Sequence, residues 1–131
     1  MANSAAVLSM YDEPMWESIR AHDWHLQQCD DCSEWRYPPG PCCPKCLSPR
    51  STWRPLSGRG EIASWVVFHR QYFDNWPPPY NVVAVKLAEG PLVISNLTGP
   101  EPEGSWIGRS VEVTYGSDAV GTLLPQMRLA E

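Results

Sequence analysis

The sequence predicts a mainly β protein in three parts: a short N-terminal helix, a metal-stapled ribbon and a small five-stranded barrel. Two observations carry that expectation. Two C-x-x-C pairs, Cys29-Asp-Asp-Cys32 and Cys43-Pro-Lys-Cys46, lie close together, and beyond Ser57-Gly58 the chain turns into short alternating runs rich in β-branched residues. Every cysteine of the 131-residue chain precedes that change. The expected boundaries are therefore 1–23 for the helical segment, 24–58 for the ribbon and 59–131 for the barrel, the last of roughly the size that supports its own core.

The helix is expected from Glu13 to Ala21, with Asp12 at the N-cap, Pro14 in the first turn, and Glu13 and Glu17 near the positive end. Trp16, Ile19 and Arg20 share a face, with Met15 beside them. Such a stripe serves packing or docking on another chain, and so short a helix needs some surface to be stable.

In the ribbon, two residues between paired cysteines let the backbone curl so that both sulfurs face one metal. Four thiolates at this spacing predict one tetrahedral zinc on Cys29, Cys32, Cys43 and Cys46. A complete set of protein ligands leaves no open position, so the metal is expected to hold structure and not to activate water. Disulfides are the alternative. The odd fifth thiol, Cys42, and a start (Met1 to Met10) without a basic n-region argue against them and place the chain in the cytoplasm. Cys42 with Cys46 forms the competing knuckle, but the two-residue spacing favours Cys43. His25 lies four residues before Cys29 and is a substitute ligand only if the thiolate set is incomplete. Hairpin arms are expected at Trp24–Gln28 and Trp35–Tyr37, with Pro38, Pro39 and Pro41 stiffening the approach to the second knuckle.

Five strands are expected beyond the ribbon: Glu61–His69, Val82–Leu87, Leu92–Leu97, Ser110–Tyr115 and Thr122–Leu129. Pro125 marks an edge or bulge in the last. The OB fold suits this count best, although the Gly- and Pro-rich stretch Thr98–Trp106 leaves little room for that fold's usual helix. The connection His69–Tyr80 is unusually aromatic, which suggests either a contact surface or a cover folded over the barrel end.

Charge and motifs narrow the function. A net charge of −5, from fifteen acidic and ten basic residues, is the wrong sign for a protein that holds polyanions by counterion release. A nucleic-acid-binding ribbon/OB module, its aromatics stacking on bases, remains the alternative reading. The longest apolar stretch, Ile62 to Phe68, is far short of the ~20 residues that span a bilayer. His22, His25 and His69 sit in no nucleophile or metal-hydrolase motif, the carboxylates form no evident pair, and Gly58-Arg-Gly60 reads as a turn into the first barrel strand. The expectation is a protein without its own catalysis.

The order and spacing of several motifs resemble the family of rubredoxin-like zinc-ribbon proteins with an acyl-CoA-associated OB fold. They are the Trp16 helix, Gln28-Cys-Asp-Asp-Cys32, Arg36-Tyr-Pro-Pro39, Cys43-Pro-Lys-Cys46, Ser57-Gly-Arg-Gly60, His69-Arg70 and Glu89-Gly-Pro-Leu-Val-Ile-Ser-Asn96. The resemblance covers nearly the whole chain. It implies a non-catalytic partner of a thiolase-fold enzyme (a thiolase, an acyltransferase or an aldolase of steroid side-chain degradation), or a domain joined to a hydratase, in a hetero-oligomer whose catalytic groups belong to the partner. If a CoA thioester approaches this barrel, Arg59 and Arg70 offer guanidinium forks for its phosphates. Tyr72, Phe73, Trp76 and Tyr80 then offer apolar cover for the acyl chain or the partner.

Overall fold

The computed structural model describes residues 10–74 and 76–130; the first nine residues of the expected helical segment lie outside them. Helix α1 runs Glu13–Arg20, with Asp12 at the N-cap position but without a side-chain cap, and with Pro14 in its first turn. Its Met15 and Ile19 are buried, and it packs on the first ribbon strand and the last barrel strand. The apolar stripe is therefore spent within the chain. Trp16 lies half-buried at the edge of the same core, and Arg20 reaches out to Glu13 at 3.2 Å.

The ribbon is a three-stranded sheet of order β2-β1-β3, with β1 His25–Cys29, β2 Trp35–Arg36 and β3 Ser51–Pro55. The arms β1 and β2 stand where the sequence puts them, whereas β3 is a strand the sequence reading did not draw. Its five residues, Ser-Thr-Trp-Arg-Pro, hold only one large apolar side chain, so no alternation announces it. Its cause is tertiary: β1 needs a second neighbour, and all five of its residues pair antiparallel with β3 from His25↔Pro55 to Cys29↔Ser51.

The second sheet has the order β6-β5-β4-β7-β8, all antiparallel, with β4 Arg59–Phe68, β5 Tyr80–Leu87, β6 Leu92–Ser95, β7 Ser110–Ser117 and β8 Leu123–Leu129. All five expected strands are present, within a few residues at their ends. The sheet curls until its edges meet. A parallel bridge joins Leu97, just beyond β6, to Met127 of β8, where Met127 N–H donates to the Asn96 carbonyl and Thr98 N–H to the Met127 carbonyl, both at 2.8 Å. This order, with its parallel closure, is the OB arrangement of a partly open five-stranded barrel. Pro125 lies in the edge strand β8, where a missing N–H costs least. Its carbonyl accepts from Ser95 Oγ at 3.1 Å.

Buried Asn81 fastens the closing loop. Its Nδ2 donates to the Leu97 carbonyl at 2.9 Å and to Glu101 at 3.0 Å, and its Oδ1 accepts from Leu97 N–H at 2.7 Å. Thr98–Trp106 is a loop, as expected. The end of the barrel is filled by Trp106, almost fully buried, stacked on Trp65 at 5.5 Å and donating from Nε1 to the Pro102 carbonyl at 3.0 Å. Among the described residues no helix is long and apolar enough to cross a membrane.

One hydrophobic cluster unites the parts: Met15 and Ile19 of α1, Trp24 and Leu26 of the ribbon, and Ile62, Val83, Val85, Val93, Val111 and Met127 of the barrel. The join is also polar. Trp24 N–H donates to Tyr115 Oη at 2.9 Å, and His22 stacks on the Tyr115 ring at 4.8 Å.

Gly58, at φ 79°, makes the turn from ribbon to barrel, and Gly60 lets two backbones meet. A Cβ on Gly60 falls 2.6 Å from Val85 Cγ1 and 2.8 Å from the Lys86 carbonyl oxygen, the second of which cannot swing away. Gly60→Ala is expected to lower stability by about 1–3 kcal/mol, read from urea unfolding of the zinc-loaded chain. An unchanged midpoint argues against the close approach.

Candidate metal centre

Each pair of cysteines sits on a turn of the same geometry, written in the same hydrogen bonds. In the first, Cys29 N–H donates to the Glu34 carbonyl at 2.8 Å and Ser33 N–H returns to the Cys29 carbonyl at 3.0 Å. In the second, Cys43 N–H donates to the Ser48 carbonyl at 2.8 Å and Leu47 N–H returns to the Cys43 carbonyl at 2.9 Å. Both turns require left-handed backbone just after the second cysteine, at Ser33 (φ 67°) and Leu47 (φ 65°). Backbone N–H groups then point at sulfur: those of Lys45 and Cys46 lie 3.3 and 3.5 Å from Cys43 Sγ.

The two turns face each other. The sulfurs of Cys29, Cys32, Cys43 and Cys46 all lie within 4.8 Å of one another, with Cys29–Cys46 at 3.6 Å and Cys32–Cys43 at 3.5 Å. A tetrahedral zinc with Zn–S bonds near 2.3 Å holds its sulfurs about 3.8 Å apart, so the geometry fits that ion. Cys42 is exposed and outside the cluster, and all five cysteines are free thiols. His25 Nδ1 is turned to the Asp23 carbonyl, away from the metal role weighed for it.

Electrostatics point the same way. Burial raises the Cys29 thiol, but the N–H groups of Cys32 and Asp31 and the neighbouring thiols outweigh it and lower it to about 6. Cys43 is lowered likewise, against burial, by the N–H groups of Cys46 and Lys45. Cys32 is helped by the Glu34 N–H, yet burial and the three other thiols push it up to about 12. Cys46 is raised too, despite the Ser48 N–H, by burial and by Cys29 and Cys43. Four sulfurs this close cannot all ionise by themselves, and a divalent cation removes the conflict.

The outer turn is braced by side chains. Arg50 pairs with Asp31, which also accepts from Ser48 Oγ and is thereby held below the usual carboxylate range, and Thr52 Oγ1 donates to Asp30 at 2.7 Å. Beneath them Arg36 is 2% exposed, its guanidinium donating to the carbonyls of Gly40 (3.3 Å), Ser48 (2.8 Å) and Arg50 (3.1 Å). Sequence reading met Arg36 as a motif residue only; its burial follows from the unforeseen β3, which carries Ser51 directly after the Arg50 carbonyl.

The other expected site residues divide into two groups. Arg70, Tyr72, Phe73, Trp76 and Tyr80 gather at the β4–β5 tip, where Phe68 stacks on Tyr80 (5.1 Å), Tyr72 meets Phe68 edge-on (5.7 Å), Trp76 leans on Tyr80 (5.9 Å) and Arg70 lies 5.6 Å above the Tyr72 ring. These rings pack on the strand residues at the base of the loop, while Tyr72 and Phe73 stay exposed. Arg59 stands at the opposite end of β4, beside a cavity of about 490 Å³ lined also by Ser110 and Glu112. About 30 Å of extended strand separates it from Arg70, so the two guanidinium groups do not form one phosphate site.

A left-handed non-glycine residue costs on the order of 1–2 kcal/mol. Leu47 pays this with its side chain in solvent. Leu47→Gly is therefore expected to stabilise the second turn by up to about 1 kcal/mol and tighten zinc binding correspondingly, measured by chelator competition; weaker binding contradicts the turn geometry.

Comparison with known proteins agrees with this architecture. Residues 16–51 match the model of the ChsH2 rubredoxin-like zinc ribbon domain, and residues 53–116 that of the ChsH2 C-terminal OB-fold domain. A probable enoyl-CoA hydratase alpha subunit of Thermomonospora curvata is 32% identical over 120 residues, which are 91% of this chain and 38% of that protein. A DUF35 domain-containing scaffold protein of Pyrococcus furiosus is 33% identical over 82 residues, 59% of this chain and 57% of the relative. This chain thus spans little more than a third of the first and over half of the second. Among solved structures, a chain of the Ltp2-ChsH2(DUF35) aldolase superposes with a TM-score of 0.85 at 29% identity, covering 96% of this chain and 99% of that one. With a paired-cysteine ribbon and an OB barrel in the same order and over the same residues, the chain belongs to the ChsH2 family of zinc-ribbon and OB-fold proteins.

Proposed function

We propose that this chain is a non-catalytic subunit that docks on a thiolase-fold acyl-CoA enzyme, with one structural zinc on Cys29, Cys32, Cys43 and Cys46 keeping its ribbon folded. The observation that carries this reading is the outer face of β4, β5 and β6. Alternation sends Ile62, Val83, Val85 and Val93 into the barrel, and sends a second apolar set outward. The outward register pairs are Phe68↔Tyr80, Val66↔Val82 and Ala84↔Ile94, with Leu92 at the end beside Lys86. Val66 is 50% exposed, Leu92 53% and Ile94 62%. This face runs without interruption into the aromatic tip. Apolar surface left in water costs about 25 cal/mol per Å², and a contiguous patch of this kind marks an interaction site.

The relatives support that partner class. A solved structure that this chain covers almost completely is the Ltp2-ChsH2(DUF35) aldolase, another relative is a scaffold protein, and a third is a subunit of a hydratase. In such a pair the nucleophile belongs to the enzyme. The docked barrel excludes water and fixes the acyl-CoA path, so that the reacting groups meet an oriented substrate. If the thioester's phosphates reach this chain at the docking face, Arg70 is the guanidinium placed to meet them, since Arg59 lies at the far end of β4.

Two outcomes are expected. Metal analysis finds one zinc per chain, lost on Cys→Ser at 29, 32, 43 or 46 and kept in Cys42→Ser; because structural zinc supplies on the order of 10–16 kcal/mol of apparent folding free energy, each loss unfolds the ribbon. Val66→Glu with Ile94→Glu leaves zinc content and folding intact but weakens co-elution with the co-expressed enzyme subunit and lowers its turnover. An enzyme equally active and soluble without this chain sinks the proposal.

A further inference from the structure

We propose that Arg36 is the internal countercharge of the metal centre, a positioning residue that sets zinc affinity through its charge as well as its hydrogen bonds; this rests on the zinc assignment above. A side chain 2% exposed with a permanent positive charge needs a compensating anion. Arg36 has none of the usual kind: its partners are the carbonyls of Gly40, Ser48 and Arg50, it belongs to none of the described ion pairs, and its buried Nε has no partner. The neighbouring Arg50 is already matched by Asp31.

The anion is the metal site itself. Zinc with four thiolates carries a net charge of −2. Arg36 lies one hydrogen bond from both turns that hold those thiolates, because the Ser48 carbonyl that accepts its Nη2 also accepts Cys43 N–H, and the Arg50 carbonyl also accepts Asp30 N–H. Carbonyl oxygens engage the two terminal nitrogens of the guanidinium without neutralising its charge. The thiolate dianion and the buried cation thus stabilise each other through the turn carbonyls that Arg36 shares with the backbone N–H groups of Cys43 and Asp30.

Zinc affinity, read by competition with a chromophoric chelator, separates charge from clamping. Arg36→Gln is expected to weaken zinc binding on the order of 10–100-fold, while Arg36→Lys, which keeps the charge and loses the planar fork, loses clearly less. Cys46→His, at the exposed ligand, reduces the magnitude of the site's negative charge from −2 to −1 and completes a double-mutant cycle. In that background Arg36→Gln is expected to cost several-fold less than with four cysteines. Equal losses in the Gln and Lys variants, an unchanged affinity in Arg36→Gln, or strict additivity in the cycle overturns the proposal. The cobalt-loaded proteins supply a second readout. Their visible ligand-field bands keep the tetrahedral pattern in Arg36→Lys, and its collapse there equally overturns the role assigned to charge.

Discussion

The convergence of four sulfurs is the constraint on which the remainder of this structure depends. A three-stranded sheet with a two-residue outer strand buries too little apolar surface to stand alone, and its loops are committed to turns, including two left-handed non-glycine residues. The ribbon therefore exists as a framework for a cation. Its hydrogen bonds run from the backbone N–H groups of Cys29, Asp30 and Cys43 to turn carbonyls, and the guanidinium of Arg36 shares the Ser48 and Arg50 carbonyls with those bonds and adds the carbonyl of Gly40.

What the ribbon contributes to the barrel is orientation. Trp24 and Leu26 belong to the same buried cluster as Ile62, Val111 and Met127, and α1 closes that cluster from outside with Met15 and Ile19. The helix, which in isolation is too short to persist, is thus held by two sheets at once. The Tyr115 hydroxyl accepting from Trp24 N–H fixes the angle between them. Packing of this kind leaves Val66, Leu92 and Ile94 exposed on the opposite, outer face of β4–β5–β6, which continues into the aromatic tip.

The barrel end shows how one residue replaces an element. An OB barrel commonly carries a helix between its third and fourth strands, and here a Gly- and Pro-rich loop brings Trp106 onto Trp65 to fill the same place. Asn81 and the Leu97–Met127 bridge then close the sheet from the other side of the loop. The closure is polar and local, while the filling is aromatic and long-range.

Spacing and alternation are local properties, and the sequence by itself determined what depends on them. The C-x-x-C pairs dictated two knuckles, the period-two runs dictated β4 to β8 with boundaries accurate to a few residues, Pro125 marked an edge, and the motif order pointed to the family. Tertiary structure alone decided the features that arise when distant segments meet. Ser51–Pro55 became a strand because β1 offered a free edge, not because its residues alternate. Arg36 became buried because two segments, one at Gly40 and one at Ser48–Arg50, placed their carbonyls around it. Arg59 and Arg70, near in sequence to the same strand, were parted because an extended strand carries its two ends far apart. The outward apolar set on β4–β6 reads in sequence as ordinary core alternation, since Val66, Val82 and Ile94 resemble their inward neighbours. Only curling of the sheet determines which of two apolar faces the core can cover.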